Sequence, residues 1–553
     1  MRLLVPFLLA ALSLHAQVPR PTEVQERRLA NGARLLVVER PGLSAFHATL
    51  VFRGGWAEES TAVAGATDLL ARALFGATWP EDLESAKGQP GLDALLKQEE
   101  GLLEALRLER LRLRRDPTGA AQLPALEANL EAAQSRLKAS FAPSPLADLY
   151  AARGGRQTAA ATADALTAQT ELPQEAFEFW CRTEAKRLQT LQLSRFSQVR
   201  AALVAELRTQ GPQGLAMLRG AALPGHPYGR DLADHLLALE ALRWSDLKTY
   251  ARQALSPDHL TIILIGGLSL EKALPLVERH LGSLPLPAHG EDAVLPEIPA
   301  DLGDRHVQAA LGGTPRLLVG WRIPSRHHPD HLPLQMAAQL LGGGQASRLP
   351  VRLERQKGVV RQVDLRMDLP GGRFPGLLVA DLRPADGHSL AEIEGALHGE
   401  ILRLQQDPIP QEEWLRALAL LETDHLRIMD EPAAMAKALG SAWAESGDWR
   451  LLERDIQRLR TLAPESVQAA ARLWLTPSHR TTVLLEPALG ARLDPLDAEI
   501  TRVLTALATL RIEDPAQREH LVSEGLRQLR MLSAEERLRT LRLLQAQLTP
   551  GKP

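Results

Sequence analysis

Both halves of the chain open with short apolar stretches that are typical of β-strands. Residues 34–39 and 48–53 form such stretches in the first half, and residues 316–321 form one in the second half. Longer segments with leucines at helical spacing follow each set. This order of strands and helices predicts an α+β fold, in which helices pack on a mainly antiparallel sheet.

Two segments of similar sequence indicate that this fold is duplicated. Residues 245–265 and 465–485 each begin with a helical pattern, continue through a proline turn at Pro257 or Pro477, and end in an apolar strand pattern. They start 220 residues apart, whereas a solenoid repeat has a period of roughly 20 to 50 residues. The sequence therefore predicts two homologous domains. The predicted boundaries are residues 17–284 for the N-terminal domain, 285–303 for a linker and 304–487 for the C-terminal domain.

Two further helical segments extend the duplicated pattern. From about residue 91 to residue 140, leucines at helical spacing mark two amphipathic helices that are interrupted at residues 116–119, so we predict an inserted helical hairpin. Residues 488–553 are rich in leucine and arginine and predict a helical C-terminal tail. Each segment has an apolar face that could pack on its own domain or dock a partner, and both alternatives stay open.

The N-terminus has the pattern of a secretory signal peptide. Met1 and Arg2 precede a mostly apolar run that ends near Ala16. This run is shorter than the roughly 20 apolar residues that a transmembrane helix needs, and no later stretch reaches that length. We therefore assign residues 1–16 to a signal peptide and expect a periplasmic or secreted protein without a membrane span.

Composition narrows the class of protein further. Of the 553 residues, 45% are hydrophobic and 24% are charged, which is typical of a globular protein with more than one domain. The formal net charge is −3, with basic and acidic residues interspersed, so nucleic acid is not expected as a partner. Cys181 is the only cysteine, so the fold depends on its core and not on an internal disulfide.

An ordered series of short motifs resembles a known family. The glycine pair at 54–55, the helical pattern at 65–78, the segment 226–229 and the glycine-rich turn at 342–344 occur in the order found in the insulinase/pitrilysin-type zinc metallopeptidases. The chain is similar to this family over most of residues 28–487. The resemblance implies two domains that form a clamshell around a peptide-binding chamber.

The zinc motif of the family is altered in this chain. In active members the helix at 65–78 carries H-x-x-E-H, whose histidines bind Zn²⁺ and whose glutamate activates the bound water. The matching residues here are Asp68, Ala71 and Arg72, and a third ligand, a glutamate in a later helix, corresponds to Val199. Alanine has no proton acceptor and arginine has no lone pair to donate, so the resemblance implies a member without zinc, cofactor or catalytic residues. Asp68 and Arg72 either form a salt bridge or both point into water.

The resemblance also locates a second altered site and a strand that binds peptide. The arginine and tyrosine that orient substrate in the family correspond to Glu354 and Arg361, so this pair is lost as well, unless Arg352 or Arg355 replaces the arginine in a shifted register. The edge strand that pairs with extended peptide corresponds to Thr158, Ala159, Ala160, Ala161 and Thr162. Backbone pairing needs no particular side chain, so strand addition is compatible with the loss of catalysis.

These features favour a non-catalytic homologue that acts as partner subunit or peptide-binding scaffold of an active, zinc-binding peptidase of the same family. Two alternatives stay open. A divergent zinc metalloendopeptidase would need other ligands, such as Asp68, Asp164 and Glu206. A stand-alone secreted module would bind peptide between its domains without a partner chain.

Overall fold

The computed structural model of the chain describes residues 23–75, 90–115, 122–139, 146–191, 195–210, 213–231, 235–286, 303–311, 313–486, 495–511 and 534–548, together with a few single positions. The predicted signal peptide at residues 1–16 lies outside the described residues, and so do the hairpin turn at 116–119 and most of the linker at 285–303. The signal peptide and the domain boundaries therefore stay predictions.

Two β-sheets form the framework of the chain. The first contains β1 (Val24–Arg28), β2 (Arg34–Glu39), β3 (Ala45–Arg53), β4 (Arg156–Ala161), β5 (Ala165–Pro173) and β6 (Leu260–Gly266) in the order β1-β2-β6-β3-β5-β4. The second contains β7 (Arg305–Ala310), β8 (Arg316–Ile323), β9 (Val360–Asp368), β10 (Gly376–Pro384) and β11 (Arg480–Glu486) in the order β7-β11-β8-β10-β9. In the first sheet β2 and β6 are parallel and the other pairs are antiparallel, so the sheet is mainly antiparallel as predicted.

Helices occupy much of the remaining described chain. In the first half they are α1 (Ala66–Phe75), α2 (Pro90–Arg115), α3 (Gln122–Ala139), α4 (Leu146–Ala151), α5 (Phe177–Thr190), α6 (Phe196–Gln210), α7 (Gly214–Ala222), α8 (Leu236–Ala241), α9 (Trp244–Ala254) and α10 (Leu270–His280). The later helices are α11 (His331–Gly342), α12 (Leu390–Gln406), α13 (Gln411–Asp430), α14 (Pro432–Ser446), α15 (Leu451–Arg460), α16 (Pro464–Trp474), α17 (Pro495–Arg511) and α18 (Ala534–Leu548), with a π-helix at Pro350–Gln356.

The two sheets repeat one strand order, which confirms the predicted duplication. The series β2-β6-β3-β5-β4 in the first sheet matches β7-β11-β8-β10-β9 in the second, position by position. In both halves a helix, a short turn at Pro257–His259 or Pro477–His479, and the second strand of the series follow one another. The chain therefore has the α+β fold with two homologous halves that the sequence predicts.

Both faces of the first sheet are buried. Leu35 and Val37 of β2 point into the main core of the first half, whereas Leu36 and Val38 pack on the opposite face against Leu439 of α14 and its neighbours. Successive side chains of a strand point to opposite faces, so one short strand contributes to two cores. This explains why residues 34–39 form a continuous apolar run.

Each half of the fold contributes helical side chains to the sheet of the other half. While α14 of the second half covers the first sheet, α7 of the first half packs against the second. Leu218 of α7 lies so close to β8 that a Cβ atom at Gly320 would be 3.1 Å from it. Arg219 of α7 donates from Nε and Nη2 to both carboxylate oxygens of Asp368 in β9, each at 2.5 Å. Each sheet is therefore packed against at least one helix from the other half of the chain.

The inserted hairpin is present and is anchored to the first half. Its helices α2 and α3 pack against each other, as the sequence predicts. Leu96 of α2 and Leu137 of α3 are buried in the same core as β2, and Glu100 accepts a hydrogen bond of 2.6 Å from Ser245 Oγ of α9. The hairpin therefore extends the core of this half.

The chain divides into two compact units, one comprising Met1–Val307 with Leu317–Val483 and the other comprising Gln308–Arg316 with Leu484–Pro553. In the second unit α17 and α18 pack through a small apolar cluster, as expected for a helical tail. Its buried members are Ile500, Val503, Leu507 and Leu541. Within the described part of the chain, no helix is long and apolar enough to span a membrane.

Candidate functional site

The helix that corresponds to the family's zinc motif is α1, and a buried glutamate fixes its start. Glu59 accepts hydrogen bonds from the backbone N–H groups of Gly65 at 2.6 Å and Thr67 at 2.5 Å, which satisfies donors that a helix N-terminus leaves free. Burial raises the pKa of the Glu59 carboxyl to about 7. Leu70 and Leu74 then anchor α1 in the core.

The three altered motif residues have different surroundings. Ala71 is buried in the core beside the apolar residues of α1. Arg72 forms a two-pronged ion pair with Glu206 of α6, with Nη1 at 2.7 Å and Nη2 at 3.2 Å from the two carboxylate oxygens. Asp68 makes no hydrogen bond within the described part of the chain, and burial raises the pKa of its carboxyl to about 6. Within the described residues the structure thus has neither of the two alternatives for this pair, a salt bridge between Asp68 and Arg72 or two side chains in water, but a bridge between two helices.

The residues at the motif positions do not fit a zinc ion. Val199 of α6, at the position of the third ligand, is half-buried and packs against the main core. The guanidinium of Arg72, a permanent cation, lowers the pKa of Glu206 and engages both of its oxygens. With Ala71 in the place of the catalytic glutamate, α1 and α6 offer neither the ligands nor the base that the family's chemistry requires.

The alternative ligand set of Asp68, Asp164 and Glu206 is not assembled either. Asp164 accepts hydrogen bonds from Tyr228 Oη at 2.5 Å and from the backbone N–H groups of Gly372 at 2.9 Å and Arg373 at 3.1 Å. Glu206 is engaged by Arg72. Across the described ranges, no three histidine, cysteine, aspartate or glutamate residues are grouped so that they could hold a metal. Asp164 instead connects the two halves of the chain.

The strand expected to pair with peptide lies at the edge of the first sheet, next to α1. β4 is hydrogen-bonded to β5 on one side, and it is the last strand in the order of the described sheet. Its exposed and half-buried side chains alternate. The corresponding residues of the strand are Thr158, Ala159, Ala160 and Ala161. Thr162 follows β4, and its carbonyl accepts a hydrogen bond of 3.2 Å from the Trp56 N–H, so it belongs to the adjoining turn.

The sequence did not reveal a buried polar network that supports β4. Gln157 of β4 donates to Glu184 Oε1 at 3.1 Å and accepts from Arg187 Nη1 at 3.1 Å. Glu184 and Arg187, three residues apart on α5, form a fully buried ion pair, and Tyr150 Oη donates to Glu184 at 2.5 Å. Burial lowers the pKa of Arg187 to about 10. The signal available in the sequence was a Glu and an Arg at i and i+3 on the side of α5 that also carries Phe177, Trp180 and Leu188.

The positions of the substrate-orienting pair lie in the second half of the chain. Glu354 belongs to the π-helix, and its Oε1 accepts a hydrogen bond of 2.7 Å from the Val363 N–H. Arg361 is exposed and forms an ion pair of 2.8 Å with Asp386. Both residues line a cavity of about 640 Å³ beside the glycine-rich turn. Glu354 lacks the positive charge of the arginine that it replaces, and Arg361 lacks the phenol hydroxyl of the tyrosine that it replaces.

Arg352 and Arg355, the other candidates for the substrate-orienting arginine, also form hydrogen bonds. Arg352 donates from Nη1 to Glu400 Oε2 at 3.1 Å, and Glu400 is fully buried. Arg355 donates to the carbonyl of Gln345. A shifted register would therefore have to break one of these contacts.

Comparisons with known proteins agree with the fold and with the motif series. Residues 243–421 match the family model described as the peptidase M16 inactive domain. An uncharacterized zinc protease of Mycobacterium leprae (strain TN) is 21% identical over 280 residues, which cover 48% of this chain and 60% of that protein. The chain thus spans less than two thirds of the length of this relative.

Solved structures share the architecture at low sequence identity. A protease from Helicobacter pylori has a TM-score of 0.67 at 15% identity, covering 84% of this chain and 100% of that one. A peptidase M16 inactive domain from Pseudomonas fluorescens has a TM-score of 0.63 at 18% identity, with coverages of 85% and 99%. The first half of the periplasmic protease PqqL from Escherichia coli has a TM-score of 0.61 at 15% identity, with coverages of 85% and 94%. At these identities the likeness establishes the fold.

Proposed function

Because the chain is a degenerate member of the insulinase/pitrilysin-type (M16) peptidase family, we propose that it is a non-catalytic subunit that holds extended peptide and associates with an active, zinc-binding peptidase of the same family. The observation that carries this proposal is the ion pair between Arg72 and Glu206. It connects α1 and α6, the two helices that supply zinc ligands in active members. The guanidinium of Arg72 thus lies beside the position that the metal occupies in active members. The two helices of the zinc site are kept, whereas the zinc ligands of the family are not.

Peptide binding is assigned to the outer edge of β4, which has no neighbouring strand in the described sheet. An edge strand presents unpaired backbone N–H and C=O groups, with which an extended peptide can form a further strand. The exposed side chains Thr158 and Ala160 are small, so they leave room along this edge. The buried network of Gln157, Glu184 and Arg187 holds β4 from behind, which favours a strand that is already in place when peptide arrives.

A partner chain is the second part of the proposal. In some enzymes of the family one chain binds zinc and another lacks it, and this chain has the features of the second kind. A site outside the cytoplasm, in the periplasm or the extracellular medium, agrees with the predicted signal peptide and with the periplasmic location of the PqqL protease, whose first half has this fold. Active and inactive chains would then be exported to the same compartment.

The loss of catalysis is tested by metal analysis and peptide cleavage. We expect no stoichiometric zinc and no cleavage of unfolded peptide. The matched control restores the motif with Asp68→His, Ala71→Glu, Arg72→His and Val199→Glu, and we expect it to bind zinc because the helices that carry these positions are in place. One zinc per unmodified chain, with chelator-sensitive cleavage that Asp68→Ala abolishes, would show a divergent peptidase instead.

Strand addition is tested with a pair of peptides that have the same side chains. One is an unstructured peptide, and the other carries N-methyl groups on alternate backbone nitrogens, which removes the donors that a strand needs. We expect the methylated peptide to bind at least about tenfold more weakly, the equivalent of about 1.4 kcal/mol. Equal binding of the two peptides would refute pairing at β4.

The partner role is tested by co-expression with an intact H-x-x-E-H relative, followed by size-exclusion chromatography with mass determination. We expect a complex that buries more than about 1,000 Å² and a partner that cleaves peptide faster in the complex. If the chain elutes alone and the relative is equally active without it, the subunit role fails. A stand-alone peptide-binding module then becomes the better account, provided that peptide still binds.

A further inference from the structure

The altered motif carries more negative than positive charge. The guanidinium of Arg72 and the carboxylate of Glu206 neutralise each other through two hydrogen bonds. Asp68 forms neither a hydrogen bond nor an ion pair with the residues that the structure describes, so the three side chains together have one negative charge in excess. The carboxyl group of Glu59 is close enough to Asp68 for the negative charge of Asp68 to raise its pKa, and it adds no positive charge.

Asp68 lies on the side of α1 that faces away from the main core. Leu70 and Ala73 are buried in that core. At about 100° per residue, they lie about 160° and about 140° around the helix from Asp68, whereas Arg72 lies about 40° from it. Asp68 is half-buried, and this burial raises the pKa of its carboxyl group. Water therefore stabilises the charge of Asp68 incompletely, and a cation beside it gains more than it would beside a fully exposed carboxylate.

An extended peptide at the outer edge of β4 would lie beside α1. Ala159 of β4 packs against the core that contains Leu70 of α1, so this helix covers one face of the strand. An added strand lies about 4.8 Å beyond β4, and every second side chain points to the face that α1 covers. In active members of the family, the residue at the position of Asp68 holds the metal whose bound water attacks the peptide. The same position therefore faces a peptide held at β4.

We propose that Asp68 selects peptides with a lysine or arginine side chain, whose cationic group forms an ion pair with the Asp68 carboxylate. The inference rests on the proposed function, peptide binding at β4, and names the class of peptide. Arg72 does not supply this cation, because its Nη1 and Nη2 both donate to Glu206. A metal ion would need further ligands, and the described ranges contain no group of three that could hold one. A single basic side chain balances the excess charge.

The test uses the full chain and N-acetylated peptides that differ at one position, which carries lysine, norleucine or glutamate. The varied residue is placed at successive positions of the peptide, so that each register of pairing with β4 is sampled. Calorimetric titrations are made at pH 8, where the carboxyl group of Asp68 is ionised. At one position we expect lysine to bind more tightly than norleucine by at least about fivefold at low salt, and glutamate to bind most weakly. High salt should reduce the advantage of lysine.

Three variants identify the carboxylate that is responsible. Asp68→Asn should remove the advantage of lysine over norleucine. Asp407→Asn, at an exposed aspartate whose side chain forms no ion pair with the described residues, should keep it. Arg72→Gln should enlarge it, because the charge of Arg72 acts against the excess negative charge at Asp68. A circular dichroism melt verifies that each variant folds, and Arg72→Gln provides a second readout if Asp68→Asn does not.

The outcomes separate this inference from the proposed function. If lysine and norleucine peptides bind equally at every position, the inference is wrong, whereas pairing at β4 stands as long as N-methylation still weakens binding. An advantage of lysine that survives Asp68→Asn belongs to another carboxylate and also overturns the inference. So does a gain that appears only when the norleucine peptide has a free N-terminal amine, since the cation is then the peptide terminus. If none of the peptides binds, the proposed function at β4 fails and the inference fails with it.

Discussion

The carboxyl group of Asp68, which forms no hydrogen bond with the described residues, provides the sharpest test of the altered motif. Its pKa is raised by burial from 3.8 to about 6, so the folded chain binds the proton more tightly than the unfolded chain does. A carboxyl group with a raised pKa contributes stability that is fully present below the unfolded pKa and is lost as the pH rises through the folded pKa. The native state should therefore lose stability between about pH 4 and pH 6 on account of this residue.

The size of the effect follows from the same pKa values. A shift of about two units, at 1.36 kcal/mol per unit, sets an upper value of about 3 kcal/mol. Because the carboxyl group of Asp68 keeps some contact with water, which screens its charge, we expect about 1 to 3 kcal/mol. Asp68→Asn removes the charge and keeps the shape, so it should stabilise the protein by this amount at pH 8 and by less at pH 4.5.

The assay is urea unfolding of the protein and of Asp68→Asn at several values between pH 4.5 and pH 8. Glu278→Gln is the matched control, because Glu278 is exposed on α10 and forms no ion pair within the described ranges. The control measures how far a change from glutamate to glutamine at an exposed site alters the unfolding free energy. If the difference between the protein and Asp68→Asn does not grow with pH, Asp68 is not desolvated and the reasoning is wrong.

Three further substitutions test how the structure is held together, each by urea unfolding. Tyr228→Phe removes a hydrogen bond to the buried carboxylate of Asp164 and should cost about 1.5 to 3 kcal/mol; no loss would mean that Asp164 does not depend on this donor. Leu439→Ala opens a cavity between α14 and the first sheet and should cost about 2 to 5 kcal/mol in a single transition, whereas two separate transitions would show that the halves unfold independently. Leu137→Ala should cost a similar amount because the hairpin extends the main core, and a change below about 0.5 kcal/mol would show that it does not.

The sequence predicted those features of the fold that depend on patterns within a few neighbouring residues. The repeated helix, proline turn and strand around Pro257 and Pro477 predict the duplication, because proline and hydrophobic periodicity act over a few residues. The inserted hairpin was predictable for the same reason. These patterns give the class of fold and the number of halves, and the structure confirms both.

The features that the sequence did not predict depend on which helices and strands, far apart in the sequence, pack against each other. An amphipathic stripe shows that α14 buries one side, but it does not show that the side packs on the sheet of the other half. The sequence offered Arg72 either Asp68, four residues away on the same helix, or water, whereas its partner is Glu206, 134 residues away on α6. The engagement of Asp164 by Tyr228 and by the backbone at Gly372 has the same origin. Contacts between residues so far apart produce no periodic pattern in a single sequence, so the sequence alone does not predict them.

The exchange of helices between the two halves places a constraint on biosynthesis. The face of the first sheet that α14 covers is complete once β6 ends at Gly266, yet α14 begins only at Pro432. At about 5 to 20 residues per second, a ribosome needs about 8 to 33 s to make the intervening chain. During that interval the apolar face of the first sheet is not covered, because α14 has not yet been synthesised. The nascent chain is therefore expected to need a holding chaperone at this stage, and its first half, expressed alone, is expected to aggregate.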